Sequence, residues 1–211
     1  GDNARSPYGT RSFEVVYQYT LEAVVKLFEM GCPLVILACN TASAKALRTI
    51  QQNDLPNMED PTKRVLGVIR PSTEVIGDYS NSGHVGVLGT NGTVKSESYP
   101  VEIAKFFPGV NVTQLACPMW VPLVENNEFN TEPGRQFVQN KVQELYSLNP
   151  QIDTIVLGCT HYPILKEIVE EFANPDTKVL AQGEIVADSL KDYLNRHPEM
   201  ETRLSKGSQT S

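Results

Sequence analysis

Residues 155–168 read IVLGCTHYPILKEI. The stretch begins with an apolar run, continues through a glycine to Cys159, and passes after Pro163 into a segment of helix-forming residues. A continuous apolar run of this length is typical of a parallel strand that is covered on both faces. The stretch therefore predicts a buried strand whose carboxyl end presents a thiol, with a helix directly after it.

An earlier stretch, VILACNTASAKAL at 35–47, has the same organisation around Cys39. Open α/β sheets bind their ligands at the carboxyl ends of strands, and a helix N-terminus favours a thiolate. A single cysteine at such a place is as often a small buried hydrophobe as a functional thiol. Two cysteines at matched positions favour function, whereas Cys32 and Cys117 lack this context and are interpreted as structural.

Apolar runs and helical patterns alternate along the rest of the chain, which predicts an α/β protein with mainly parallel sheets. The loop at 53–63 is a candidate domain junction, and we expect the polar tail at 205–211 to be disordered. Strands are predicted at 34–38, 64–69, 84–89, 110–117, 153–158 and 177–182, and helices at 12–30, 42–52, about 132–147, 163–173 and 183–197 and within 71–81 and 90–107.

Composition narrows the possible functions. The chain has 211 residues, of which 40% are hydrophobic and 20% charged, enough for a sizeable core. Its net charge is −7 and it has no Lys/Arg cluster, which argues against nucleic-acid binding, and no apolar run is long enough to span a membrane. The four cysteines lack zinc spacing, so no metal is expected, and reduced thiols suit a cytosolic protein.

Two thiols that face each other across a cleft could remove a proton from one face of a carbon and return one to the other face. One cysteine would start as thiolate and the other as thiol, and nearby groups must tune their pKa values. The carbanion needs its neighbouring carboxylate held by amide and hydroxyl donors. Asn40, Thr41 and Thr160 are placed in the sequence to supply them.

CNTASA (39–44) and GCTHYP (158–163) resemble the two signature motifs of the glutamate racemase family, cofactor-independent members of the aspartate/glutamate racemase superfamily. GDNARSPYGTRS (1–12) is similar to the substrate-contacting loop of that family. The segments GVIRP (67–71), VGVLGTNGTVKS (85–96) and ACPMWVPLVE (116–125) match further family segments in order. Aspartate racemases usually carry Glu after the second Cys-Thr, so His161 favours glutamate.

The resemblance implies two pseudo-symmetric flavodoxin-like domains with the active site in the cleft between them. The first would comprise 1–62, completed by 180–211, and the second 63–179; substrate binding could close this hinged cleft. The implied reaction interconverts L- and D-glutamate without a cofactor, in the cytoplasm, and supplies D-glutamate for peptidoglycan. The partner is then a small-molecule substrate, with no nucleic acid or membrane, and a homodimer is left open.

The resemblance also assigns roles to individual residues. Cys39 and Cys159 would be the proton-transfer bases and acids. His161 and Glu125 would assist Cys159, although without the motif they would be interpreted as a turn histidine and a surface carboxylate. The residues that would hold the amino acid are Tyr8, Gly9, Asn40, Thr41, Thr90, Thr93, Thr160 and His161.

The chain departs from the family pattern at two places. A first strand that ends in Asp-Ser-Gly, whose Asp assists the first Cys, does not occur in the 211 residues, so we expect the chain to begin within a domain. Ala181 and Gln182 replace the usual pair of a late Asp-Ser-Gly-like run, for which we expect an effect on packing or regulation rather than on the chemical step.

Three alternatives compete with this function, and the first two stay open. The first is a racemase of the same superfamily that acts on another amino acid such as aspartate. The second is a truncated, non-catalytic form that only binds a ligand or partner, for which the sequence upstream of Gly1 discriminates. The third, a cysteine hydrolase, would leave the second cysteine without a use.

Overall fold

The computed structural model describes residues 1–205, and the predicted α/β class with parallel sheets is confirmed. All six predicted strands are present among the described residues. They are β1 (Leu34–Leu37), β2 (Arg64–Gly67), β3 (His84–Gly89), β4 (Asn111–Ala116), β5 (Thr154–Gly158) and β6 (Lys178–Leu180). Except for Ser205, the polar tail predicted to be disordered lies outside the described residues.

Helices connect the strands. They are α1 (Phe13–Glu29), α2 (Asn40–Ala42), α3 (Ile69–Thr73), α4 (Ile76–Tyr79), α5 (Asn91–Lys95), α6 (Ser98–Phe106), α7 (Trp120–Glu125), α8 (Glu132–Leu148), α9 (Lys166–Phe172), α10 (Gln182–Arg196) and α11 (Pro198–Glu201). The Ser12 side chain caps α1 by accepting a hydrogen bond from the Val15 N–H. Gly31, at φ 89°, ends that helix in the left-handed conformation expected for this glycine.

The larger sheet has four parallel strands in the order β4-β3-β5-β6. Its central strand β5 is buried along its whole length, as its apolar sequence predicts. Leu157 packs with α8 and α9 on one face of the sheet, whereas Val156 packs with α6 on the other. Burial of each such side chain contributes about 1.5–3 kcal/mol to folding, so both faces of this sheet contribute to the stability of the fold.

The smaller sheet consists of β1 and β2, which pair in parallel from Leu34 opposite Arg64 to Leu37 opposite Gly67. Helix α1 and the helical run after Cys39 cover it with Val24, Phe28, Ala46 and Ile50 among other buried side chains. The domain boundary predicted at 62–63 falls between the two strands of this sheet. A division by sheets would instead fall after Gly67, and the division into domains stays a prediction.

Several elements end at other residues than the sequence suggests. Strand β2 stops at Gly67 because α3 begins at Ile69, and β6 stops at Leu180 because α10 begins at Gln182. The helix predicted at 42–52 begins at Asn40 and continues to Asn57, with π-helical turns at Ser43–Leu47 and Ile50–Asp54. In the described part of the chain, no helix is long and apolar enough to cross a membrane.

Candidate active site

A cavity of about 630 Å³ lies where the carboxyl ends of β1, β3 and β5 meet the loop at 1–12. Cys39 and Cys159 both line it, so the structure brings the two matched cysteines to one site. Seven other residues singled out from the sequence also line it: Tyr8, Gly9, Thr41, Thr90, Glu125, Thr160 and His161. The two strand–cysteine–helix segments therefore place their cysteines in the same cavity.

Cys159 follows the last residue of β5 and is 7% exposed. Burial is the main cause that raises the pKa of its thiol, to about 11, and a negative charge on Cys39 acts in the same direction. Hydrogen bonds from the backbone N–H groups of His161 and Tyr162 act the opposite way. At neutral pH the free site therefore holds Cys159 as a thiol, with two amide donors ready to stabilise its thiolate.

His161 and Glu125 form a chain of contacts with this thiol. The Nδ1 atom of His161 lies 3.9 Å from the Cys159 Sγ, and its Nε2 atom lies 3.2 Å from Oε1 of Glu125. Glu125 is the last residue of α7, so the packing of this helix brings the carboxylate to the imidazole. The family resemblance implies that both residues lie on the Cys159 side of the cleft, and they are in contact there.

Cys39 occupies a different environment. It is the residue that precedes α2, and its side chain is half-buried. Among residues 1–205, no side chain hydrogen-bonds to its thiol, in contrast to the imidazole beside Cys159. Both cysteines line the same cavity, and a negative charge on Cys39 raises the pKa of the Cys159 thiol.

Three threonine hydroxyls form a cluster, of which Thr41 and Thr90 line the cavity. The Oγ1 atoms of Thr41 and Thr90 lie 2.9 Å apart, and the Oγ1 of Thr93 lies 3.4 Å and 3.2 Å from them. Thr41 belongs to the helical run after Cys39, whereas Thr90 caps α5 at the end of β3. The cluster therefore joins the two sheets and offers hydroxyl donors to an anionic group in the cavity.

The loop at 1–12 is hydrogen-bonded to, and packs closely against, the segment after β3. The Gly92 N–H donates to the Gly9 carbonyl at 2.8 Å, and a Cβ on Gly9 would lie 2.9 Å from the Thr90 Cβ. Tyr8 donates its hydroxyl hydrogen to the Asp2 carboxylate at 2.5 Å, which helps to lower the pKa of Asp2. Asp2 also lines the cavity, and although it belongs to the loop at 1–12 the sequence did not single it out as a site residue, because an isolated carboxylate carries no motif.

Two predicted substrate-binding residues lie elsewhere. Asn40 and Thr93 are 2% and 0% exposed, and neither is among the residues that line the cavity. Cys117 lies in the core of the larger sheet, and burial raises the pKa of its thiol, as expected for a structural cysteine. Cys32 packs against the core of the smaller sheet. Within the described chain, no group of three or more His, Cys, Asp or Glu residues could hold a metal ion.

Comparisons with known proteins agree with this geometry. The family model described as Asp/Glu/hydantoin racemase matches residues 2–189. The chain is 40% identical over 210 residues to a glutamate racemase from Dinoroseobacter shibae, an alignment that covers 95% of this chain and 75% of that protein.

Solved structures resemble the fold closely. Glutamate racemase isoform RacE1 from Bacillus anthracis superposes with a TM-score of 0.84 at 32% identity, covering 93% of this chain and 70% of that one. Glutamate racemase from Francisella tularensis in complex with D-glutamate has a TM-score of 0.82 at 25% identity, covering 99% of this chain and 73% of that one.

Proposed function

The chain belongs to the Asp/Glu/hydantoin racemase family, and from this premise we propose that it interconverts L- and D-glutamate by two-thiol acid–base catalysis. The observation that carries the proposal is the convergence of Cys39 and Cys159 on one cavity. Each thiol follows a parallel strand and precedes helical turns, so the two approach a ligand from different sheets.

The proposed reaction moves two protons. A thiolate on one side removes the α-proton of glutamate, and the electron pair of the C–H bond stays on the α-carbon. The thiol on the other side then donates its proton to the opposite face, which inverts the configuration. The first sulfur ends as thiol and the second as thiolate, so before the next turnover in the same direction the first must lose its proton and the second must take one up.

The contacts of Cys159 support a role for His161 as its proton partner. If the Nε2–H of a neutral imidazole donates to Glu125, the unprotonated Nδ1 faces the Sγ of Cys159. This Nδ1 can accept the thiol proton and later return it. Such a partner is needed because burial keeps Cys159 protonated at neutral pH.

The substrate carboxylate beside the α-carbon requires hydrogen-bond donors, because charge develops there as the proton leaves. The hydroxyl groups of Thr41 and Thr90 support this role, and Thr160 lines the cavity beside Cys159. We assign substrate binding to these residues together with Tyr8 and Gly9. Thr93 would act through its contacts with Thr41 and Thr90 rather than directly.

The similarity to glutamate racemases and the presence of His161 favour glutamate over aspartate as the substrate. Glutamate racemases are about 40% identical to this chain, whereas the aspartate racemase from Picrophilus torridus is 20% identical and shares the fold alone. We extend the proposal to a cytoplasmic enzyme that supplies D-glutamate for peptidoglycan, with no cofactor. The two-domain division at 62–63 and 179–180 remains part of the same proposal.

The proposal is tested by incubating the full-length protein separately with L-glutamate and L-aspartate and resolving the products by chiral chromatography. We expect D-glutamate to form without any added cofactor and D-aspartate to form at least 100-fold more slowly, on the order of what a pocket discriminates by one methylene. Faster conversion of aspartate would contradict the substrate assignment. Binding of L-glutamate with no D-glutamate formed would instead support a ligand-binding role.

A further inference from the structure

A buried polar network lies directly behind the cavity and contains groups that the proposed reaction does not use. Asn40 follows Cys39, and its Nδ2 donates to the Oε1 of Gln182 at 2.8 Å. Its Oδ1 accepts the hydroxyl hydrogen of Tyr99 at 2.8 Å. Tyr99 is completely buried and Gln182 is 7% exposed, so these bonds are shielded from water.

The far side of Gln182 fixes the orientation of the whole network. Its Nε2 donates to the Val68 carbonyl at 3.0 Å and to the Ser72 Oγ at 2.8 Å. A carbonyl can only accept, so the amide of Gln182 must point its nitrogen towards Val68 and its oxygen towards Asn40. The Asn40 amide must then present its NH₂ group to Gln182, which leaves its oxygen for the Tyr99 hydroxyl.

The network touches the backbone next to both thiols. Asn40 is the first residue of α2, directly after Cys39. On the other side, a Cβ on Gly158 would lie 3.3 Å from Cε2 and 3.4 Å from Oη of Tyr99, so the ring lies close to the residue before Cys159. Tyr99 therefore spans the short distance between the two strand ends that carry the cysteines.

We propose that Gln182 and Tyr99 are positioning residues, which hold Asn40 and thereby set the direction of the Cys39 thiol relative to Cys159. The inference rests on the proposed two-thiol reaction. It assigns the Asn40 side chain to the support of Cys39 rather than to the substrate. The sequence predicts that Gln182 affects packing or regulation rather than the chemical step. The inference differs, because the amide of Gln182 accepts a hydrogen bond from Asn40, the residue after Cys39.

The variants Tyr99→Phe and Gln182→Met each remove the hydrogen bonds and keep a similar volume. We expect kcat to fall about 10- to 100-fold with KM within threefold, because a misplacement on the order of 1 Å costs this much in rate. Because both residues act through Asn40, the double variant should lose little more than the worse single variant.

Matched controls are Tyr146→Phe, which removes a hydroxyl contact with Thr177, and Gln51→Met, which removes a bond to the Val65 carbonyl. Both lie outside the cavity wall and should keep kcat even where the melting temperature falls. The proposal is overturned if Tyr99→Phe and Gln182→Met keep wild-type kcat, or if the controls lose as much kcat for the same fall in melting temperature.

A substrate-independent measurement separates this inference from the reaction itself. The rates at which iodoacetamide alkylates Cys39 and Cys159 are followed by peptide mass spectrometry in the wild type and in Gln182→Met. We expect the ratio of the two rates to change at least threefold, whether or not the wild type racemises glutamate. An unchanged ratio overturns the positioning role, whereas an inactive wild type overturns only the proposed function.

Discussion

The two cysteine sites share a sequence pattern and differ in their surroundings. Cys159 directly follows the fully buried strand β5 of the four-stranded sheet, with the His161 imidazole beside its sulfur and the Glu125 carboxylate behind that imidazole. Cys39 lies two residues after β1 of the two-stranded sheet, is half-buried, and is followed by Asn40, whose side-chain amide donates a hydrogen bond to Gln182.

This difference suggests that the two thiols are tuned by different means. On the Cys159 side, a proton can move to a side chain that touches the sulfur. On the Cys39 side, the described residues form hydrogen bonds with the side chain of Asn40, the next residue, and none of their side chains hydrogen-bonds to the sulfur. Matched positions in a repeat therefore do not imply matched chemistry, and each side can be tested separately.

The largest expected effect comes from removing either sulfur. Cys39→Ala and Cys159→Ala should each lower the rate of glutamate racemisation on the order of 10⁴-fold or more, because each leaves one face of the α-carbon without an acid or base. Chiral chromatography measures the rate, and Cys32→Ala is the matched control, which should retain activity. Full activity in either active-site variant would refute the two-thiol account.

The next effect concerns the ionisation of Cys159. Since burial raises its pKa to about 11, only about 10⁻³ of the sites carry thiolate at pH 8. The alkylation rate of Cys159 should therefore rise about tenfold per pH unit from pH 7 to 10 without reaching a plateau. Peptide mass spectrometry of the free wild-type protein measures it, with circular dichroism to verify folding at each pH. A plateau below pH 9 would contradict the effect of burial.

A smaller effect is expected at the imidazole. His161→Asn should lower kcat about 100-fold, at the lower end of what a positioned acid or base contributes, because Cys159 loses its proton partner. His197→Asn is the matched control, since His197 lies at the exposed end of α10. Equal kcat in His161→Asn and the wild type would contradict this role and leave His161 as a structural residue of its turn.

The smallest effect is expected at the carboxylate behind the imidazole. Glu125→Gln keeps the shape but removes the charge, and since the side chain is 49% exposed we expect only about a tenfold fall in kcat. Glu128→Gln, in the exposed segment after α7, serves as the control and should stay at wild-type activity. A loss as large as that of His161→Asn would mean that Glu125 orients the imidazole more strongly than its exposure suggests.

Much of this fold is predictable from the sequence because its strands are short apolar runs buried on both faces. The strand–cysteine–helix repeat also predicts that both thiols reach strand ends. The positions of His161 and Glu125 beside Cys159 follow from family motifs. Because the two residues are far apart in the sequence, no local pattern predicts that they contact each other.

The rest depends on long-range packing that no local pattern encodes. Gln182 lies far from Asn40 in the sequence, and an amide at the start of a helix is an ordinary residue there. Its proposed role depends on three partners from two distant segments, Asn40 on one side and Val68 and Ser72 on the other. For the same reason Asn40 was expected to face the substrate, since its buried partners Tyr99 and Gln182 carry no sequence signal of their proximity.

The most direct test of the two-thiol account follows the α-hydrogen. Wild-type protein is given L-glutamate in deuterated water, and mass spectrometry measures the deuterium at the α-carbon in both enantiomers during the first few per cent of conversion. We predict that the D-glutamate formed carries one deuterium while the remaining L-glutamate stays protiated, because separate sulfurs remove and donate the proton. Protium retained in the product, or deuterium appearing equally in both enantiomers from the start, would mean that one base serves both faces and would contradict the account.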